Sequence, residues 1–217
     1  MKTTDTTALP PVHVMLDIET LGVRPGAVIF QVAAARFCPD SGATLSEFSA
    51  DIDIDDALFW GLHIERDTHA WWEKQGGIRQ EDPITLAKAI YQLNTFLRYH
   101  LLGGRSVIWA RGMDFDFPLL RHAYAAVRAD PPWVPWQQRD LRTITKLTRT
   151  DPPVASASHT AIEDVRAQCI QCALALAFIN ASDPPARLPD SADIPPMPVP
   201  VTGQTVDQLA AALRITD

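Results

Sequence analysis

An apolar run that ends in two carboxylates constrains this chain more than any other feature. Val12-His13-Val14-Met15-Leu16-Asp17-Ile18-Glu19-Thr20 carries Val12, Val14 and Leu16 at alternate positions, the spacing of a strand that feeds a core. Side chains at i and i+2 leave a strand on the same face, so Asp17 and Glu19 point the same way. Two carboxylates on one face of a core strand repel each other and lose hydration unless a cation joins them. Oxygen donors of this kind suit Mg²⁺ or Mn²⁺. A solvated strand end would carry the same pair, so the rest of the chain has to decide.

The 217 residues can bury one sizeable core, and 47% hydrophobic against 21% charged residues is an ordinary balance for a globular protein. No apolar run approaches the length of a membrane span, and residues 173–179 are too few. Residues 1–11 are polar and Thr-rich, without the basic-then-apolar layout of a secretory signal. A cytoplasmic location with no membrane partner is therefore expected. Three cysteines cannot all pair. Cys169 and Cys172 form a Cys-x-x-Cys within an apolar helical stretch that has no second pair, so buried helix thiols are the expectation rather than a zinc site. The net charge of −7 hides an asymmetry. Between Arg98 and Arg149 the chain carries nine Lys/Arg against four acids, whereas the stretch from Asp40 to Asp67 is acid-rich. A basic half can track phosphates, and solvated helix faces explain the count equally well.

Strands are predicted over 12–19, 27–38 and 44–52, an opening that resembles an antiparallel meander, with Gly22, Pro25 and Gly26 at its first turn. A short helix with Trp71 and Trp72 follows over 67–75. Adjacent helical residues diverge by about 100°, so one of these rings belongs to the core and the other to a groove or partner. Leu86, Ile90, Leu93, Leu97 and Leu101 make one buried stripe of a helix over 83–102, with Asp82 as N-cap and Pro83 at its first position. Residues 106–110 read as a short core strand. Helices follow from Pro118, over 140–148 and over 161–180, with a loop at 130–136. Residues 181–200 contain seven prolines and read as an extended arm, and residues 206–213 as one more short helix. A domain over 1–180 and an arm over 181–217 is the expected division. Strands followed by helices around a mixed sheet place the chain in the α/β or α+β class.

Three further residues are candidates for the same site. Asp116 lies in Met113-Asp114-Phe115-Asp116-Phe117-Pro118, where a core strand gives way to a helix. It sits where a sheet edge exposes side chains, or it caps the helix that begins near Pro118. His159 and Asp164 lie in Ser158-His159-Thr160-Ala161-Ile162-Glu163-Asp164. Thr160 with Glu163 fits a capping box, so the helix starts at Thr160. On one continuous helix His159 and Asp164 would stand about 140° apart, but with His159 on the preceding loop the two can converge.

Taken together, Asp17-x-Glu19, Phe115-Asp116 with Leu119-Leu120, and His159-x₄-Asp164 resemble the three motifs of the DEDDh 3′–5′ exonucleases. The resemblance covers roughly residues 12–180. Trp71-Trp72-x-x-Gln75 and Arg139-Asp140-Leu141-Arg142-Thr143 look like the RNase T-like exoribonuclease branch. Asp114 is a second acid in the middle motif, and Asp116 is favoured because it follows the aromatic residue. The resemblance implies an RNase H-like mixed β-sheet flanked by helices, of the α/β class. It also implies two divalent ions, Mg²⁺ or Mn²⁺, with Asp17 bridging both, Glu19 and Asp164 completing the tighter one, and Asp116 acting through water. His159 would take the proton from the attacking water, a task that suits an imidazole with an ordinary pKa of about 6.5. Nucleoside 5′-monophosphates would leave the 3′ ends of single-stranded RNA or DNA, RNA being favoured on the branch resemblance alone. Thr20 and Leu21 would line the terminal nucleotide, and Phe117, Trp72 or Trp71 would stack on bases. A homodimer is a candidate assembly, since a one-domain enzyme can borrow a partner's basic patch.

The main alternative is a nucleic-acid-binding module that keeps the fold without turnover; the complete set of five residues counts against it. A serine hydrolase lacks its Gly-x-Ser-x-Gly elbow, and a dinucleotide enzyme lacks both Gly-x-Gly-x-x-Gly and a Walker loop.

Overall fold

The computed structural model describes residues 11–101, 105–150 and 160–181. The expected arm, the short helix over 206–213 and His159 lie outside the described residues. Three strands open the fold: β1 (His13–Thr20), β2 (Ile29–Phe37) and β3 (Thr44–Asp51). They form the anticipated antiparallel meander. Two further strands, β4 (Val107–Ala110) and β5 (Gln138–Asp140), add to the other side of β1 in parallel, giving the order β3-β2-β1-β4-β5. The result is a mixed sheet centred on the strand that bears Asp17 and Glu19.

Helices cover both faces, and the strand period sorts side chains between them. Val14, Leu16 and Ile18 enter a large core with the buried stripe of α3 (Leu86–Leu101) and with Leu119, Leu120, Ala123 and Tyr124 of α4 (Met113–Ala126). Met15, in register with Ala35, faces the other way. There it joins a smaller core with Trp109, Leu141 of α5 (Leu141–Thr148), and Val165, Cys169 and Cys172 of α6 (Ala161–Ala181). The two cysteines are buried thiols, and burial pushes the Cys172 thiol up to about 12. Residue 181 thus belongs to α6 and not to the arm. No helix among the described residues is long and apolar enough to cross a membrane.

Some boundaries differ from the sequence reading for identifiable reasons. The third helix begins at Leu86, not at Pro83, because the chain is still extended at Ile84. That residue bridges to Ile52, and its N–H donates to the Asp51 carbonyl at 2.9 Å. Asp82 has a left-handed φ of 48° and is not the cap. Thr85 takes that place, its carbonyl accepting from the Ala89 N–H at 3.0 Å. A short helix, α1 (Ile54–Phe59), went unpredicted, although Asp53 caps it by accepting from the Asp56 N–H. Strand β5 is three residues long and shows no period at all.

The paired tryptophans of α2 (Arg66–Lys74) divide as expected. Trp71 is 42% exposed, whereas Trp72 is buried edge-on against Phe30 and donates its indole N–H to the Thr20 carbonyl at 2.9 Å. That bond pins the end of β1 just beyond Glu19, where the pairing with β2 is irregular. Trp72→Phe would leave the buried carbonyl without its donor. It should lower unfolding free energy by about 1–3 kcal/mol, measured as a lower urea midpoint at unchanged slope.

Candidate active site

The sheet itself opens a place for the carboxylates. Strand β4 pairs with β1 only along His13, Val14 and Met15, then turns away into α4. Beyond Met15, β1 has β2 on one side and, among the described residues, no strand on the other. Asp17 pairs with Ala33, a residue too small to fill the space, and Glu19 with Gln31. A crevice at the carboxyl ends of parallel strands, where successive elements leave in opposite directions, is where open α/β sheets bind ligands.

Helix α6 brings the third acid. Thr160 precedes it, its hydroxyl donating to Glu163 at 3.0 Å and its carbonyl accepting from the Asp164 N–H at 3.0 Å. Gln31 of β2 accepts from the Ala161 N–H through Oε1, which ties the helix start to the strand beside Glu19. Glu163 is therefore a helix-start residue, as expected, and Asp164 in the first turn faces the sheet. Carboxylate oxygens of Asp17, Glu19 and Asp164 lie within 4.8 Å of one another, and among the described residues this is the group able to hold a metal ion.

Asp116 approaches from the other wall. Contrary to the capping expectation, α4 starts at Met113, so Asp116 is inside the helix and does not cap it. Gly112 turns the chain straight out of β4, and Asp140 supplies the missing acceptor. Its Oδ1 accepts from the Met113 N–H at 3.4 Å while its Oδ2 caps α5 through the Thr143 N–H at 3.1 Å. Asp116 is 4% exposed and lies close enough to Asp17 to raise its pKa, whereas Asp114 is exposed. Of the two acids in the middle motif, Asp116 is thus the buried one, near Asp17.

The electrostatics are those of crowded, poorly hydrated acids. Burial pushes the Asp17 carboxyl up to about 7, with Asp164 adding to the rise and a hydrogen bond from Gln168 opposing it. Glu19 rises to about 8, first through burial and then through the charges of Asp17 and Asp164. Asp116 is held well above the ordinary carboxylate range by burial and by Asp17. Basic neighbours offset the charge only in part: Arg111 acts on Asp17 and Arg142 on Asp116. A hard divalent cation supplies what this donor set lacks, since carboxylate oxygens are its natural ligands.

Not every anticipated residue reaches this crevice with a free side chain. Thr20 and Leu21 are buried, the Thr20 hydroxyl donating to the Gly22 carbonyl. Phe117 is 1% exposed and packs on Trp133 at 5.6 Å between ring centroids. Phe117 and Trp72 therefore present no open ring face for stacking, and of the aromatic candidates Trp71 is the exposed one. Sequence reasoning missed Gln31, Arg111 and Gln168. Gln168 had a detectable signal: it is a polar residue four places after Asp164, on the same helix face.

The mixed five-stranded sheet, flanked by helices and with acids gathered at the end of its central strand, is an RNase H-like α/β fold. Residues 12–179 match the 3′–5′ exoribonuclease Rv2179c-like domain, and the chain belongs to that family. Its fold is α/β and RNase H-like, and the matched domain is described as a 3′–5′ exoribonuclease domain. Solved structures of exonuclease I share the fold. One aligns at 15% identity and a TM-score of 0.56, covering 73% of this chain and 39% of that one. The zinc-bound E. coli exonuclease I complex with single-stranded DNA aligns at 15% identity and 0.53, covering 80% and 42%. The E. coli enzyme with a dT13 oligonucleotide aligns at 14% and 0.55, covering 79% and 41%. This chain thus spans about two fifths of the exonuclease I chains. No curated protein sequence matches it.

The raised carboxyls set a pH dependence. The fold favours the neutral forms of Asp17 and Glu19, whose values near 7 and 8 exceed the value of about 4 for unfolded carboxyls. The melting temperature of metal-free protein should therefore fall as pH rises between those limits and level off above them. Saturating Mn²⁺ should reverse the loss at pH 8, and Asp17→Asn should flatten the slope; thermal melts across pH check both.

Proposed function

We propose that this protein is an exonuclease that removes nucleoside 5′-monophosphates from the 3′ ends of single-stranded nucleic acid, RNA in preference to DNA. Two divalent ions, Mg²⁺ or Mn²⁺, would be held by Asp17, Glu19, Asp116 and Asp164. The carboxylate cluster of Asp17, Glu19 and Asp164 at the end of β1 carries the reading. The exoribonuclease description of the family favours RNA, and the single-stranded DNA bound in exonuclease I structures favours a single strand. Ions of this kind stabilise the attacking and leaving oxygens of an in-line phosphoryl displacement.

The protein's own residues do the rest. Asp17, which acts on both Glu19 and Asp116, would serve both ion positions. His159 would accept the proton of the attacking water as general base. Trp71 offers its exposed face to a base near the 3′ end, in place of the buried Trp72 and Phe117. Thr20 and Leu21, held by backbone and core contacts, contribute shape beneath the terminal nucleotide.

The test uses 5′-labelled RNA and DNA single strands of one sequence, with Mg²⁺, Mn²⁺ or EDTA. A metal-dependent ladder shortening from the 3′ end, faster on RNA and lost in Asp17→Asn, is expected. Equal or faster cleavage of DNA would overturn the substrate preference, and cleavage in EDTA would overturn the metal reading. His159→Ala should lower turnover by about 10²–10⁴ while leaving Mn²⁺ affinity nearly intact. An unchanged rate would remove His159 from the mechanism.

A further inference from the structure

Asp17 has one side-chain hydrogen-bond partner among the described residues, and it comes from α6. Gln168, one turn after Asp164 and 4% exposed, donates Nε2–H to Asp17 Oδ1 at 2.8 Å. Its own Oε1 is fully buried and accepts nothing. A buried amide oxygen without a donor is a cost to folding. An apolar side chain of the same length would fill the space without that cost. Packing therefore does not explain a glutamine here, whereas the contact with Asp17 does.

The chemistry of the amide suits that contact. A lysine or arginine at this place would neutralise Asp17 and compete with a cation, and a carboxylate would add a further like charge. The neutral amide N–H takes one lone pair of Oδ1 and leaves the remaining acceptor positions of the carboxylate open. One turn further on, Gln171 Oε1 accepts from Arg111 Nη1 at 3.0 Å, which holds a second group that acts on Asp17. Asp164, Gln168 and Gln171 thus form one stripe of α6, at spacings of four and three residues.

We propose that Gln168 is a positioning residue that fixes the carboxylate of Asp17 in the orientation needed to share cations with Glu19 and Asp164. The inference rests on the metal-assisted reading above. Mn²⁺ titration calorimetry on the full chain, beside metal-free thermal melts and steady-state kinetics, tests it. Gln168→Met, which keeps length and loses the donor, should melt cooperatively at or above the parental temperature. It should bind Mn²⁺ about 10- to 100-fold more weakly. At a fixed subsaturating Mn²⁺ concentration kcat should fall while KM for the single strand stays within about twofold, since a packing defect would not divide the constants this way. Should Gln168→Met melt early, Gln168→Asn, with its amide withdrawn by one methylene, must show the same weakened Mn²⁺ binding. Parental affinity and rate in a folded variant would overturn the positioning role alone. A parental protein that binds no Mn²⁺ would overturn the metal reading and this inference together.

Discussion

Electrostatic crowding at the end of β1 is the constraint to which the surrounding structure answers. Asp17, Glu19 and Asp164 are gathered within 4.8 Å, with Asp116 near enough to feel Asp17. Acids in that position are stable as neutral groups or as ligands of a cation, and not as bare anions. The same crowding that would weaken the metal-free protein at alkaline pH would favour a divalent ion. Protons and such an ion would compete for one set of oxygens.

The fold builds this crowding from elements fixed elsewhere. Strand β1 is held by β2 along its whole length and by β4 only along its first half. Trp72 pins its far end through the Thr20 carbonyl. Helix α6 is seated by Val165, Cys169 and Cys172 in the smaller core and tethered at its start by Gln31. Helix α4 is launched at the right moment by Gly112 and by Asp140, which serves two helix starts with its two oxygens. The acids therefore come from three elements, Asp17 and Glu19 from β1, Asp116 from α4 and Asp164 from α6, and the repulsion among them is borne by packing some distance away.

Much of this was legible in the sequence because it follows from short-range periodicity. The strand period placed Asp17 and Glu19 on one face, and Thr160 with Glu163 marked the helix start that carries Asp164. The buried stripe of α3 followed from its leucine spacing. What escaped depends on contacts distant in sequence. Asp140 lies 27 residues from the amide it caps, so the start of α4 was misplaced and Asp116 was weighed as a cap. Strand β5 exists because β4 is beside it, and three residues have no period to read. Burial of Phe117 and Trp72 depends on which helix face meets the sheet, which adjacent aromatics cannot reveal. Gln168 shares a helical spacing with Asp164, but its partner lies 151 residues away.

The most direct test is anomalous diffraction from crystals grown with Mn²⁺ and a non-hydrolysable single strand. Manganese peaks are expected among the carboxylates, one shared by Asp17, Glu19 and Asp164 and one between Asp17 and Asp116, with the 3′ end of the strand beside them. Manganese bound elsewhere, or a strand whose 3′ end lies away from Asp17, would contradict it.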